Sequence, residues 1–177
     1  MSYKYFIVNN IVFDNEYLTI KEDYLLLMLY KYRDTKTNIA SPKEDYLLSM
    51  LDCSKSSLNN YLGNLADRDL IIRKNRRGKS NEYKLLNTKE GGFTILPSML
   101  VGCKGNDLYN DMVYAHLCRL TGKNNSTQVS YARLRKRVKC RKKTLIKSLR
   151  YLEDSTLIKL QQQSGLSRFT IFKGDIS

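Results

Sequence analysis

Residues 141–152 read RKKTLIKSLRYL, with Leu145, Leu149 and Leu152 at intervals of four and three, the spacing of one stripe on an α-helix. Arg141, Lys142, Lys143, Lys147 and Arg150 take the remaining positions, so the stripe can bury while the cations stay outside. An earlier stretch at 54–65, SKSSLNNYLGNL, carries Leu58, Leu62 and Leu65 at the same spacing. Sliding the chain on itself by 87 residues, without a gap, pairs the two stretches and aligns Phe6 with Phe93, Cys53 with Cys140, Leu70 with Leu157, Ile71 with Ile158 and Gly78 with Gly165. One shift that serves helix, turn and glycine loop indicates two similar units of about 85 residues each, a normal domain size. They are expected at 1–87 and 88–177, joined by the NTKEGG segment at 87–92.

Within the first unit, residues 3–13 alternate weakly and are rich in aromatic and β-branched types, which predicts a short strand or extended arm. IKEDYLLLMLYKYR at 20–33 is strongly apolar and is expected to lie across the core as a helix. After the polar loop DTKTN, Ser41, Pro42 and Glu44 have the order of a capping box with proline at the first helical position, so a helix is expected from Pro42 to about Leu51. Asp52, Cys53 and Ser54 make a tight turn, with Ser54 placed to cap the next helix, 55–68. Two short helices around such a turn form a helix-turn-helix unit, whose second helix is the one presented to a DNA groove. LIIRKN at 70–75 and NEYKLL at 81–86 flank a basic glycine turn, the pattern of a β-hairpin placed as a wing. The second unit repeats the plan, with an extended segment at 93–96, helices at 107–120, 131–138 and 141–154, Ser130 as a cap, and a hairpin at 157–163 and 167–172.

The stretch SPKEDYLLSMLDCSKSSLNNYLGNLADRDLIIRKNRRGKSNEYKL resembles the winged helix-turn-helix modules of bacterial, plasmid and phage regulators and replication-initiation proteins. The resemblance covers 20–85 closely and 107–172 more loosely. It implies a mainly α fold with small β wings (α+β), two tandem winged helix-turn-helix domains, and binding to double-stranded DNA.

Charge points the same way. The chain of 177 residues has a net charge of +14 and a pI near 9.6, which favours nucleic acid or another anionic surface. Residues 1–87 hold 14 basic and 11 acidic side chains, a net of +3, whereas 88–177 hold 17 and 6, a net of +11. Between Arg133 and Arg150 there are ten basic residues and no acid. There Arg135, Arg137, Arg141, Lys142, Lys143, Lys147 and Arg150 are the expected DNA contacts, neutralising phosphates or reading guanine. In the first unit the expected contacts are Lys55, Ser56, Asn59 and Asn60 on the helix, with Arg73, Lys74, Arg76, Arg77 and Lys79 on the wing. Asparagine can make paired bonds to adenine, and a basic wing suits the backbone or a narrow minor groove. The tip of the second hairpin, Gln161 to Gly165, is uncharged, so the second unit is expected to hold and read mainly by its helix.

Cys53, Cys103, Cys118 and Cys140 form no CxxC pair, and His116 is the only histidine, so neither a zinc site nor a disulfide framework is expected. With no phosphate-cradling glycine loop, no Ser/His/Asp set and no two-metal acidic cluster, no catalytic residue, metal or cofactor is expected, and an enzyme is disfavoured. The apolar runs are too short for a membrane span, and MSYKYFIVNN lacks signal-peptide character, giving a cytoplasmic expectation with no membrane partner. The function so indicated is sequence-specific duplex binding, in transcription regulation or replication initiation, in a bacterium or on a plasmid, phage or similar mobile element. The alternative is a winged-helix interaction module that docks a protein partner, or a second copy, through the tyrosine-rich first helix and the acidic pair Glu22 and Asp23.

Overall fold

The computed structural model describes residues 5–77, 80–86, 92–98, 102, 107–122, 124–163 and 166–172. The chain divides into two compact units, Ile7–Phe93, and Thr94–Ser177 together with Met1–Phe6. This boundary lies a few residues beyond the expected 87/88 and falls within two short strands, β1 (Tyr5–Asn9) and β5 (Phe93–Pro97), and the chain start goes with the second unit.

The segment read as extended over 3–13 is only partly so. After β1, Asn9 Oδ1 accepts the Ile11 N–H at 2.9 Å, and the Asn10 carbonyl accepts the N–H groups of Phe13 and Asp14. The asparagine side chain thus offers the backbone a turn in place of a ladder, and one turn of helix α1 (Ile11–Asp14) follows, burying Val12 and Phe13.

In the first unit α2 (Ile20–Lys31) starts on a capping box, with Thr19 N–H donating to Glu22 Oε2 at 2.6 Å and Glu22 N–H to Thr19 Oγ1 at 3.4 Å. Residues 22–30 are all buried, as a helix crossing a core requires. Asp34 then orders the polar loop, accepting the N–H groups of Lys36 and Thr37 at 2.9 Å each, and β2 (Ile39–Ala40) follows. Helix α3 (Glu44–Leu51) begins two residues later than the proline pattern suggests, with Lys43 at its N-cap and no side-chain cap. Glu44 does not fold back toward Ser41 because its carboxylate pairs with Lys55 Nζ at 2.8 Å, a partner eleven residues away at the start of α4 (Lys55–Asp67). Ser54 does cap α4, accepting the Ser57 N–H at 3.2 Å. Strands β3 (Ile71–Lys74) and β4 (Glu82–Leu85) complete an antiparallel sheet of order β2-β4-β3. Leu47, Leu51, Leu58, Leu62, Leu65, Ile71, Tyr83 and Leu85 make the core with α2.

The second unit carries the same element order: α5 (Leu108–Thr121, capped by Asp107), β6 (Ser126–Val129), α6 (Tyr131–Val138, capped by Ser130), α7 (Lys142–Asp154), β7 (Ile158–Gln163) and β8 (Leu166–Ile171). Its sheet order, β6-β8-β7, is the counterpart of the first. Helices α6 and α7 span the residues of α3 and α4 displaced by 87, and the buried Leu58, Leu62 and Leu65 correspond to Leu145, Leu149 and Leu152. Three left-handed residues repeat at the same displacement: Asn38 and Asn125, Asp52 and Lys139, Asp69 and Thr156. A left-handed non-glycine residue costs roughly 1–2 kcal/mol, so six of them at matched positions mark reversals that both units need. The gap-free shift holds from β2 to β3 but slips on either side: β1 and β5 share a burial pattern at a displacement of 88, the buried runs 22–30 of α2 and 110–118 of α5 are likewise 88 apart, and the return strand slips the other way. Ile71 faces Leu85, whereas Ile158 faces Ile171, a displacement of 86 for the partner, because the second hairpin is one residue shorter.

Candidate nucleic-acid interface

Helix α7 buries Leu145, Ser148, Leu149 and Leu152 against its unit. Lys143, Lys147 and Arg150, spaced by four and three, share the opposite face and are exposed, as are Arg141 and Lys142 at the start of the helix. None of these five pairs with a carboxylate among the described residues. Cations in the first turn also oppose the helix dipole, at about 0.3–1 kcal/mol each.

The corresponding corner of the first unit is built the other way. There Ser54 caps the helix and Lys55 is neutralised by Glu44, which also raises the Lys55 pKa through its hydrogen bond and charge. At a displacement of 87 those positions are Arg141, Lys142 and Tyr131, so α7 has no side-chain cap and, among the described residues, no counterion for Lys142. Arg133, Arg135 and Lys136 on α6 are exposed and Arg137 is half-buried. Arg135, Lys136 and Arg137 lie in the last turn of α6, where the dipole favours them, so part of that charge serves the fold.

Ser56 and Asn60 sit on the outward face of α4 and are exposed, while Asn59 is half-buried. Lys55 is exposed but committed to Glu44. On the first hairpin Lys74 and Arg77 are exposed and Arg73 is half-buried. Arg76 is half-buried and ion-paired with Glu82 across the hairpin, while its N–H donates to Asn81 Oδ1 at 3.2 Å, so it shapes the hairpin. Lys79 lies outside the described residues.

The second hairpin is not as neutral as its tip suggests. Lys159 and Arg168 are exposed, and the register setting Lys159 opposite Thr170 and Gln161 opposite Arg168 puts both cations on one face. Strand alternation on both sides of the tip is the signal that identifies them.

Glu22 and Asp23 offer no acidic docking patch, being 3% and 1% exposed. Burial alone would raise the Glu22 pKa, but hydrogen bonds from the Asn64 side chain and from Thr19 hold it below the ordinary carboxylate range. The acid thus ties α2 to α4. Tyr24 and Tyr30 are buried, and Tyr32 bonds Tyr46 hydroxyl to hydroxyl at 2.8 Å, which makes these tyrosines core and core-edge residues. Cys53 and Cys140 occupy equivalent turns, and burial pushes both thiols up, leaving little thiolate at neutral pH. Among the described residues no helix is long and apolar enough to cross a membrane. Compared with protein-family models and with curated proteins, the chain matches none.

Proposed function

We propose that this chain is a sequence-specific duplex-DNA-binding protein whose two reading helices, α4 and α7, act on unlike half-sites. One observation carries the proposal: Lys143, Lys147 and Arg150 form an exposed stripe on α7 with no carboxylate partner among the described residues, beside an N-terminus loaded with Arg141 and Lys142 at a cost to the fold. Phosphate oxygens would supply the missing negative charge, and counterion release would supply affinity. The helix–strand–helix–helix–hairpin order of each unit agrees with a winged helix-turn-helix, in which the second helix of the closely linked pair faces the major groove.

The two helices divide the work. Helix α7 anchors on phosphates and reads with arginine, whereas α4 presents Ser56, Asn59 and Asn60, which suit adenine edges, with Lys74 and Arg77 of the first wing on the backbone. Helices so different imply a non-palindromic site, with half-sites separated by about 10 base pairs as the starting expectation. Transcription control or replication initiation, in the cytoplasm of a bacterium and on a mobile element, is the role that follows. The test is charge reversal of Lys142, Lys143 and Lys147 to glutamate. Duplex binding in a mobility-shift assay is expected to collapse while circular dichroism stays that of the parent; undiminished binding would remove α7 as the anchor.

A further inference from the structure

A groove runs along the outer face of α7 beside the start of α5, wholly within the second unit. Tyr109, Ile146 and Tyr151 line it together with Lys143, Lys147 and Arg150. Tyr151 is 42% exposed. At a displacement of 87, Tyr151 corresponds to Asn64, which in the first unit bonds back to α2, its Nδ2 donating to the buried Glu22 Oε1 at 2.5 Å. The second unit has a tyrosine at that position and adds cations at the positions of Ser56, Asn60 and Gly63. Of the acids at the groove, Asp107 is engaged in capping, accepting the Tyr109 N–H at 2.8 Å, and Asp154 closes the far end.

Tyrosine faces bind flat rings by stacking, and ammonium and guanidinium groups bind phosphates. A single strand of nucleic acid offers rings and phosphates together at nucleotide spacing. In a duplex the base faces are covered by their neighbours, so the tyrosines find no ring to stack on there.

We infer that this groove binds an unpaired nucleotide strand, its bases stacked on Tyr109 and Tyr151 and its phosphates held by Lys143, Lys147 and Arg150. The inference rests on the nucleic-acid reading of α7 and adds a second ligand to it. Strand and duplex share the cations, so they compete, while the tyrosines serve the strand alone.

The experiment measures binding of the full chain to fluorescent ten-nucleotide strands of DNA and RNA, each with its bases and in an abasic form, and to a duplex. The parent protein is expected to hold a base-bearing strand at least about tenfold more tightly than the abasic one, in line with stacking on aromatic side chains. Tyr109→Ala with Tyr151→Ala is expected to erase that difference and leave duplex affinity unchanged, and phenylalanine at both positions to preserve it. A base-dependent gain in the DNA or the RNA arm supports the groove and assigns the sugar. Equal binding of abasic and base-bearing strands, or indifference to the alanine pair, overturns it. Duplex binding without a base-dependent strand arm defeats this inference only; the reverse pattern defeats the duplex reading.

Discussion

Replacing Lys143 and Lys147 together by alanine removes two exposed ammonium groups one helical turn apart that have no carboxylate partner among the described residues. If each neutralises one phosphate, the pair contributes about 1.8 to the slope of log affinity against log salt. Such a slope amounts to about 60-fold in affinity at 0.1 M monovalent salt and about 18-fold at 0.2 M. The fold is not expected to suffer, because neither side chain is buried and Lys143 opposes the dipole of α7. The assay is fluorescence anisotropy of a labelled duplex, titrated at four salt concentrations for parent and variant, with thermal melting of both proteins. A parallel pair of salt lines, or a penalty that does not shrink as salt rises, would refute the assignment of these lysines to phosphates.

Three further expectations follow from particular contacts. Arg77→Ala should weaken all duplexes alike and lower the salt slope by about one, whereas Arg76→Ala should lower it less and chiefly loosen the hairpin, because Arg76 is already paired with Glu82; salt titration and hydrogen exchange on 71–85 separate the two. Arg141→Ser restores the cap that Ser54 provides in the first unit, so melting should show about 1 kcal/mol of added stability while duplex binding weakens; lost stability would contradict the correspondence of the two corners. Glu22 has a folded pKa below its unfolded value, so its contribution is present above the unfolded pKa, near 4.5, and is lost as pH falls through the folded one. Glu22→Gln keeps the capping-box pattern and should therefore flatten the acid limb of a stability-versus-pH curve below that value; an unchanged limb would mean that other groups set it.

The repeat was legible because it rests on buried leucines at fixed spacing and on tight turns, which tolerate little change in length. The hairpins do not share that constraint, and the slip of one residue on the return strand was masked by the gap-free match of Gly78 with Gly165. The capping box expected at Ser41 and Glu44 does not form, and the one that does, at Thr19 and Glu22, was not anticipated. At Ser41 the glutamate is drawn away by Lys55, a tertiary partner that local spacing does not reveal. The same limit explains Glu22 and Asp23, whose charges suggested an exposed patch until a cap and Asn64 provided reasons for burial. The cations of α7 were legible as charge, but that none of them is ion-paired with a carboxylate among the described residues appears only with the three-dimensional neighbours in view.

The most direct test of duplex recognition by two unlike helices is selection from a random duplex pool by the full chain at 0.05 and 0.2 M salt, a range over which six to ten phosphate contacts lose roughly 10³–10⁵ in affinity. The expected result is a bipartite, non-palindromic motif that persists at the higher salt, one half of which loses enrichment when Asn59 and Asn60 are replaced by alanine. Retention without any enriched motif, vanishing as salt rises, would contradict it and leave only the electrostatic attraction of a basic protein for a polyanion.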